Sequence, residues 1–288
     1  MINSVSVIIS FYERLSHLKC CLDALRACRN DFSEVVIADD GSREETVEAI
    51  RMMIPSYPFR IIHAWQPKDG FRLASVRNNG IRNSSGEYLI FIDCDFVLLP
   101  GTIRSHIECA KRRRFVAGLC KYLPEEQTRS LMAQGITPER LERFYKALPE
   151  RPITREHWKF FRYSMLIRIG LANERKQRCS SHFSIHRADM EAINGYDENF
   201  VGWGGEDEDI SLRMVKVGFR GYSVIREAKT LHLWHHKELG EKHWREGSNI
   251  EYLYRKNIPS FCENGLIKKA VVPGEDNEPS GRSGKGIE

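Results

Sequence analysis

The chain has 288 residues, which is enough to bury a sizeable core as one large domain, or as one domain with an elaboration. Hydrophobic residues make up 41% and charged residues 29%, which is ordinary for a folded globular protein. The net charge of +5 comes from 44 basic and 39 acidic residues, so the charge balance predicts no nucleic-acid partner, although a weak attraction to an anionic surface or substrate is compatible with it.

The cysteines and the apolar runs indicate in which cellular compartment the protein is expected. The eight cysteines form no CxxC pair and no zinc-type spacing, and the first residues lack the pattern of a secretory signal peptide. The apolar runs stay well short of the roughly 20 residues that a membrane span needs. We therefore expect reduced thiols in a cytoplasmic protein, with a peripheral position at the inner membrane surface left open.

Short apolar runs alternate with helical stretches in the first 120 residues. The predicted strands lie at residues 5–10, 34–38, 59–64, 88–92 and 115–119. Helical spacing of apolar residues predicts helices that include 15–28 and 73–82. This alternation predicts an α/β fold with a doubly wound, mostly parallel central sheet and helices on both faces.

The rest of the chain is less regular. A stretch rich in charge and aromatic residues has no clear strand, and we interpret it as a mostly helical insertion that covers the site. After it, further strands are predicted at 181–186, 219–225 and 229–233. The predicted organisation has four parts, namely residues 1–120, the insertion at 121–178, a second half at 179–260, and a tail at 261–288 that we expect to be disordered.

Acidic side chains follow two of the predicted strands. Asp39 and Asp40 come after the second strand, and Asp93 and Asp95 come after the fourth. Ligands of doubly wound sheets bind beyond the carboxyl ends of the strands, so both pairs are expected on one rim, although Asp-Gly-Ser after a strand is also an ordinary turn. Alternate residues of an extended segment face the same way, so Asp93 and Asp95 could share one cation while Cys94 points away. Such oxygen ligands suit Mg²⁺ or Mn²⁺ carrying a substrate diphosphate.

A loop of glycine and tryptophan at 202–205 leads directly into four consecutive acids at 206–209. Acids are favourable at a helix start, and the apolar residues up to Val217 are compatible with a helix. That structural explanation accounts for one or two of the acids. Glycines that let the backbone approach a ligand, and the indole of Trp203 beside carboxylates, are also typical of a site that holds a sugar or a base.

Five segments stand in a recognisable order, and they read VSVIISFYER, VVIADDGS, GFRLASVRNNGI, FIDCD and GWGGEDEDISLRM. In this order they resemble the inverting glycosyltransferases of family 2, which have the GT-A fold. The last segment is similar to the galactosyltransferase-type region of animal β-1,4-galactosyltransferases and of bacterial polymerases of chondroitin type. The resemblance covers about residues 4–240 and leaves the insertion and the tail unexplained.

The resemblance implies a GT-A fold and a metal-dependent inverting transfer. The donor would be a UDP-sugar, with UDP-Gal or UDP-GalNAc favoured, and it would give a hexose or N-acetylhexosamine to a hydroxyl of a glycan or lipid-linked saccharide. The implied cofactor is Mn²⁺ or Mg²⁺, and the implied role is surface polysaccharide or glycan biosynthesis. Residues 1–120 would then bind the nucleotide sugar, and residues 179–260 would bind the acceptor and carry the catalytic groups.

The resemblance also implies which residues hold the donor. Phe11 and Arg14 occupy the first-strand loop that touches the nucleotide. Asp40, alone or with Asp39, would accept a hydrogen bond from the base. Arg77 would lie near the diphosphate, where the fork of a guanidinium suits phosphate geometry.

For the metal, the resemblance places Asp93 and Asp95 at the DxD positions, with Asp95 as the more direct ligand. In the galactosyltransferases a downstream histidine and the residue three before it bind the metal, and the matching pair here is His232 and His235. We favour His235 as the ligand. This chain departs from the family's methionine at His232, and the adjacent His236 blurs the register. A histidine near a strand end is otherwise often a hydrogen-bonded surface residue.

On the acceptor side, Asp207 matches the family's general base, which takes the proton of the acceptor hydroxyl. Glu206 or Glu208 would tune this base or hold acceptor hydroxyls, since neighbouring carboxylates raise one another's pKa. Trp203 would stack on a sugar ring, and Gly205 would line the acceptor site. The structural alternative for Trp203 is a half-buried loop aromatic.

Two other functions compete with a sugar transferase. A nucleotidyltransferase would also use a doubly wound sheet and paired aspartates, but it usually has a Gly-rich, basic phosphate loop near the start, which VSVIISFYERLSHL lacks. A non-catalytic module that binds a sugar or nucleotide would be expected to have lost one of the acidic motifs, and both are intact here.

Overall fold

The apolar runs of the first half form the centre of a seven-stranded sheet. The computed structural model describes residues 2–180, 182–236 and 246–268. Its strands are β1 (Val5–Phe11), β2 (Glu34–Asp39), β3 (Arg60–Trp65), β4 (Tyr88–Asp93), β5 (Phe96–Leu98), β6 (Arg114–Ala117), β7 (Lys121–Tyr122), β8 (Phe183–His186), β9 (Arg220–Ser223) and β10 (Thr230–His232). Its helices are α1 (Leu15–Leu25), α2 (Glu44–Met53), α3 (Leu73–Arg82), α4 (Thr102–Glu108), α5 (Glu125–Gln134), α6 (Pro138–Ala147), α7 (Arg151–Arg168), α8 (Arg187–Glu191), α9 (Glu206–Lys216) and α10 (Ser248–Leu253).

The main sheet has the strand order β3-β2-β1-β4-β8-β6-β9. Strands β3, β2, β1 and β4 pair in parallel with one another, and β6 pairs in parallel with β9. Strand β8 runs antiparallel between β4 and β6. Strands joined by a crossover helix pair in parallel because the helix returns the chain to the same end of the sheet. The prediction of a mostly parallel sheet is confirmed.

Helices cover both faces of this sheet. All residues of β1 and β2 are buried, as expected for strands with no solvent-facing side. In β1, Val7 and Ile9 belong to one core and Ile8 to the other, because successive side chains of a strand point to opposite faces. Leu18 of α1 packs in the first core, and Ile210 of α9 packs in the second.

A second, small sheet has the order β5-β10-β7. Strand β10 is antiparallel to β5 and parallel to β7. The register pairs His232 with Phe96, which directly follows Asp95. The small sheet therefore brings a histidine from late in the chain to the end of β4.

The stretch expected to be a helical insertion contains α5, α6 and α7. Helices α5 and α6 pack against the small sheet through Leu131 and Tyr145, which meet Leu231 and Leu233. Helix α7 packs on the main core through Phe160. Two helices of this stretch thus support the small sheet from outside.

Residues 261–268, which the sequence assigns to a disordered tail, contact the main core. Asn194 donates hydrogen bonds from Nδ2 to the carbonyl oxygens of Cys262 at 2.7 Å and Ile267 at 2.8 Å. These eight residues are therefore part of the fold, whereas the rest of the expected tail, 269–288, lies outside the described residues. All eight cysteines carry free thiols. Within the described ranges, no helix is both long enough and apolar enough to span a bilayer.

Candidate active site

A buried arginine joins two acidic motifs that are far apart in the sequence. The side chain of Arg77, on α3, is only 1% exposed. Its Nη1 donates to Asp207 Oδ1 at 2.7 Å, and its Nη2 lies 3.5 Å from Asp93 Oδ1. Nη1 is also 3.6 Å from Glu206 Oε1. The acids at the end of β4 and those at the start of α9 therefore meet on one guanidinium.

Arg77 has a different environment from the one expected. The resemblance implies a position near a diphosphate, but three carboxylates surround the guanidinium, and the ring centre of Tyr196 lies 5.2 Å from it. Burial would lower the pKa of Arg77, but the charge of Asp207 and the other neighbours raise it well above its ordinary value. A buried cation with several counter-charges stays ionised. Arg77 thus holds the acids in place.

The last two of the four acids on α9 pair with arginines. Both carboxylate oxygens of Glu208 face arginines, with Arg175 at 3.2 Å and Arg178 at 2.9 Å. Asp209 pairs with Arg213 at 2.7 Å. The expectation that Glu208 holds acceptor hydroxyls or tunes the base is not supported by this geometry. The reason is that successive helical residues differ in direction by about 100°, which turns Glu208 away from Asp207.

Asp207 is the one acid of the four with a substantially exposed carboxylate. Its side chain is 28% exposed, while those of Glu206, Glu208 and Asp209 are at most 10% exposed. Arg77 holds its Oδ1, and within the described part of the chain Oδ2 receives no hydrogen bond. One oxygen is therefore fixed and the other is available to a ligand.

Glu206 is buried beside Asp207. Burial and the charge of Asp207 raise the pKa of Glu206 to about 7, against the opposite effect of Arg77. A carboxyl group with this pKa can hold or release a proton near neutral pH. Of the two neighbours expected to tune the base, the geometry supports Glu206.

The loop before α9 presents an aromatic surface next to Asp207. Positive φ angles of 88°, 92° and 98° occur at Gly202, Gly204 and Gly205. Residues with a side chain rarely adopt this conformation, which explains the glycines. The loop is held at one side by the Gly202 N–H, which donates to Phe71 O at 2.8 Å, and at the other by Asn249 Nδ2, which donates to Gly204 O at 2.8 Å. The indole of Trp203 is exposed between these anchors.

Asp95 forms a compact cluster with two histidines. One donor atom from each of Asp95, His232 and His235 lies within 4.8 Å of the others. Asp95 Oδ2 is 3.1 Å from His235 Nε2, and Oδ1 is 3.7 Å from His232 Nε2. Asp95 Oδ1 is buried and receives no hydrogen bond from the described residues. A buried carboxylate oxygen without a donor, beside two imidazole nitrogens, fits a divalent cation.

The charges around Asp95 keep it ionised. Burial would raise its pKa, but the hydrogen bond from His235 and the charges of His232 and Arg14 hold the pKa of Asp95 below its ordinary value. Arg14, which was expected to touch the nucleotide, donates from Nη1 to Asp95 Oδ2 at 3.3 Å. An ionised carboxylate is the form that binds a cation.

Asp93 is not part of this cluster. Strand β4 ends at Asp93, and Cys94 and Asp95 form a turn, so the alternation of an extended strand does not apply here. Asp93 faces Arg77, whereas Asp95 faces the histidines. The two aspartates therefore have different partners, and a cation shared by both stays a prediction that this arrangement does not support. The side chain of Cys94 is buried.

His232 is a candidate ligand that the sequence did not select. The resembling family has methionine at this position, so the sequence favours His235 and leaves His232 and His236 open. The available signal was the spacing His-x-x-His at the end of a predicted strand, which places two imidazoles within reach of one ion. The sequence does not show that His232 lies near Asp95. The pairing of β10 with β5 brings them together.

The acids after β2 also have separate environments. Asp39 is fully buried and accepts hydrogen bonds from Ser42 N at 2.9 Å and from the His63 ring at 2.8 Å. It therefore organises the turn after β2, and the expected bond to a base is not supported. Asp40 accepts from Gln66 Nε2 at 3.0 Å and Lys68 Nζ at 2.9 Å, so it is the acid that faces the following loop.

The exposed aromatic residue that follows β1 is Tyr12. The side chain of Phe11 is buried in the core, while that of Tyr12 is exposed. Lys68 Nζ lies 3.6 Å from the ring centre of Tyr12, close to Asp40. The expected nucleotide contact of Phe11 is not supported for its side chain, because the fully buried β1 directs this side chain into the core.

Comparisons with known families identify the family of this chain. A family model described as glycosyl transferase family 2 matches residues 6–170. The chain belongs to glycosyl transferase family 2. A second model, described as the N-terminal domain of galactosyltransferase, matches residues 167–237, the range that contains α9 and both histidines of the cluster.

This family 2 chain also has curated relatives. It is 29% identical over 234 residues to validoxylamine A glucosyltransferase of Streptomyces hygroscopicus subsp. jinggangensis (strain 5008), with 73% of this chain and 51% of that protein covered. It is 23% identical over 277 residues to chondroitin synthase of Escherichia coli, with 91% of this chain and 39% of that protein covered. The chain thus spans about half the length of these relatives, or less.

Among solved structures, the family 2 chain resembles the mannosyltransferase PcManGT from Pyrobaculum calidifontis, solved in complex with GDP-Man and Mn²⁺. The TM-score is 0.55 at 16% identity, and the match covers 85% of this chain and 60% of that chain. The GT-A fold and the family that the motifs implied are confirmed.

Replacement of Arg77 by methionine should strongly destabilise this family 2 chain. Three carboxylates would lose their shared buried counter-charge, which costs about 3–5 kcal/mol in comparable buried pairs. Urea unfolding measures the change. The control is Arg51→Met, which removes an exposed pair with Glu48 and should cost less than about 1 kcal/mol. Equal effects of the two variants would contradict the role given to Arg77.

Glu206→Gln should change how stability depends on pH. Because the folded-state pKa of about 7 is above the ordinary 4.5, the folded chain binds more protons than the unfolded chain between these values. The contribution of Glu206 to stability therefore falls as pH rises through this window, by on the order of 1–3 kcal/mol. The variant cannot ionise, so its stability relative to the parent should increase from pH 5 to pH 8, as measured by urea unfolding in metal-free buffer. The exposed Glu48→Gln serves as control, and parallel pH curves for E206Q and the parent would refute the prediction.

Proposed function

We propose that this chain is a metal-dependent, inverting glycosyltransferase that moves a hexose or N-acetylhexosamine from a UDP-sugar to a hydroxyl of a glycan or lipid-linked saccharide. The observation that carries the proposal is the exposed carboxylate of Asp207, which buried Arg77 links to the acid at the end of β4. This arrangement supports Asp207 as a proton acceptor at the rim where a doubly wound sheet binds its ligands.

In the proposed reaction, the acceptor oxygen attacks the anomeric carbon from the face opposite the diphosphate. A bond forms between that oxygen and the carbon, the bond from the carbon to the phosphate oxygen breaks, and its electron pair leaves with UDP. Asp207 takes the hydroxyl proton as general base, with Arg77 fixing its orientation and Glu206 adjusting the local charge. A single displacement of this kind inverts the configuration.

Asp95, His232 and His235 would hold the metal. When bound, the ion would offset the negative charge that develops on the leaving diphosphate. Two imidazoles beside one carboxylate favour Mn²⁺ over Mg²⁺, since Mg²⁺ prefers oxygen ligands. Mn²⁺ also appears in the description of the PcManGT complex.

The substrates would lie on either side of these groups. Asp40 and Tyr12 flank the proposed nucleotide position, and the exposed indole of Trp203 offers a stacking surface for a sugar ring. Support for a UDP-Gal or UDP-GalNAc type donor comes from the galactosyltransferase match over α9 and from the similarity to chondroitin synthase.

Asp207→Asn tests the proposed base. Asparagine keeps an oxygen for Arg77 but cannot take a proton, so kcat should fall at least about 100-fold while donor binding stays close to that of the parent. Transfer is measured as UDP release from UDP-Gal and UDP-GalNAc with saccharide acceptors in Mn²⁺, and binding is measured by calorimetry with UDP. Asp31→Asn, whose pair with Arg104 is on the surface, should leave both unchanged. Loss of UDP affinity equal to the loss of kcat would argue against a base, and no UDP release by the parent from any donor would argue against the proposed function.

The metal ligands are tested by Asp95→Ala, His232→Ala and His235→Ala. Each removes one donor atom of the cluster, so Mn²⁺-dependent binding of UDP should weaken at least about tenfold. The adjacent His236→Ala is the matched control, because His236 is outside the cluster. Calorimetric titration with UDP, in the presence and absence of Mn²⁺, compares the three ligand variants with this control. If H236A loses metal dependence and H232A keeps it, the assignment of the ligands is incorrect.

A further inference from the structure

Helix α7 has apolar side chains on two opposite faces. Ile153 and Phe160 are buried on the face that packs against the main core. The opposite side carries large apolar side chains that are between 47% and 62% exposed, namely Trp158, Phe161, Met165 and Ile169. Their spacing of three or four residues places them in one stripe along the helix and its C-terminal end. We call these four residues the outer face of α7. A surface helix normally has only one apolar side, so the outer face needs a partner.

Basic residues flank the outer face. Helix α7 contains Arg151, Arg155, Lys159, Arg162 and Arg168, against a single acid, Glu156. Glu156 pairs with Arg155 and Lys159. Within the described residues, neither Arg162 nor Arg168 has an acidic partner closer than 4 Å. Helix α7 therefore carries more cations than anions around the apolar stripe.

A groove runs along one side of the outer face. Its volume is about 800 Å³, and Trp158, Phe161 and Met165 form one wall. The other wall includes Tyr222 of β9 and Cys109 after α4. Tyr222 is exposed, and the guanidinium of Arg114 lies 4.9 Å from its ring centre. The apolar surface thus continues from the helix to the edge of the main sheet. The groove is lined by three arginines (Arg114, Arg168 and Arg220) and three glutamates (Glu108, Glu174 and Glu227), so the excess of positive charge comes from α7.

We propose that the outer face of α7 docks on an anionic phospholipid membrane surface. The combination of exposed aromatic and aliphatic residues with flanking Lys and Arg is that of an interfacial helix, whose apolar side enters the lipid boundary while its cations meet anionic head groups. Tryptophan in particular prefers this boundary.

Charge argues against a second copy of the chain as the occupant. In a two-fold contact the same surface meets itself, so the five basic residues of α7 would face the same five residues of the other copy. Repulsion between like charges would oppose such a dimer, whereas an anionic surface neutralises them. The docked helix would remain connected to the candidate active site, since Arg175 and Arg178, which follow α7, hold Glu208 next to Asp207. The inference does not depend on transfer activity.

Vesicle co-sedimentation of the full chain tests the proposal. The parent should bind phosphatidylcholine vesicles that contain about 30% phosphatidylglycerol and should bind pure phosphatidylcholine far less. Binding should weaken when salt rises from about 0.1 M to about 0.5 M, because salt screens the attraction. The double variant W158S/F161S should lose at least about tenfold in partitioning through its apolar contacts, and R162Q/R168Q should lose roughly tenfold through its charges.

Matched controls separate docking from general surface effects. Met52→Ser with Phe261→Ser removes two apolar side chains, 73% and 49% exposed, from other parts of the surface and should not change binding. Lys19→Gln with Arg51→Gln removes two exposed cations elsewhere and should weaken binding much less than R162Q/R168Q. Thermal unfolding checks that all variants keep the fold.

Three results would overturn the proposal. The first is a parent that does not bind the anionic vesicles, and the second is a W158S/F161S variant that binds them as the parent does. The third is a parent that forms dimers without vesicles while W158S/F161S stays monomeric in sedimentation equilibrium, which would assign the outer face to a second copy of the chain.

Discussion

The buried charge of Arg77 is the constraint on which the candidate active site depends. A guanidinium removed from water requires counter-charges within a few ångströms. Here they come from the end of β4 and from the first turn of α9. Because Arg77 itself is on α3, one side chain determines how a central strand and two helices are placed around the rim. The sheet brings these elements close, and the ion pairs select one arrangement of their acids.

Helix geometry then decides what each of the four acids on α9 does. Neighbouring residues of a helix point in directions about 100° apart, so four similar carboxylates face different environments. Three of the carboxylates are buried or nearly so and tie α9 to α3, to the segment after α7 and to its own next turn. Asp207 alone keeps an exposed carboxylate. One acidic helix start therefore provides both the anchoring of the helix and a single exposed carboxylate.

The candidate metal cluster depends on the small sheet more than on the main one. Strand β5 follows Asp95 directly, and its pairing with β10 brings His232 beside that carboxylate. Helices α5 and α6 cover the outside of this sheet. The inserted helices thus have a structural role at the site, and α7, which follows them in the chain, presents the outer face on another side of the molecule.

The sequence by itself determined the type of sheet and the elements whose ends carry the acids, because buried strands and amphipathic helices have their own periods of apolar residues. It also indicated that Asp40 and Asp95 follow strands that end at one rim, and that Asp207 lies at the start of a helix. It could not separate Asp39 from Asp40, Asp93 from Asp95, or Asp207 from its three neighbours, since the residues in each set are alike in charge. Those distinctions came from the turn at Cys94 and from cations supplied by distant segments. Only the tertiary structure decides which carboxylate is buried in an ion pair and which stays exposed. The reason is that most of the pairing cations are remote along the chain.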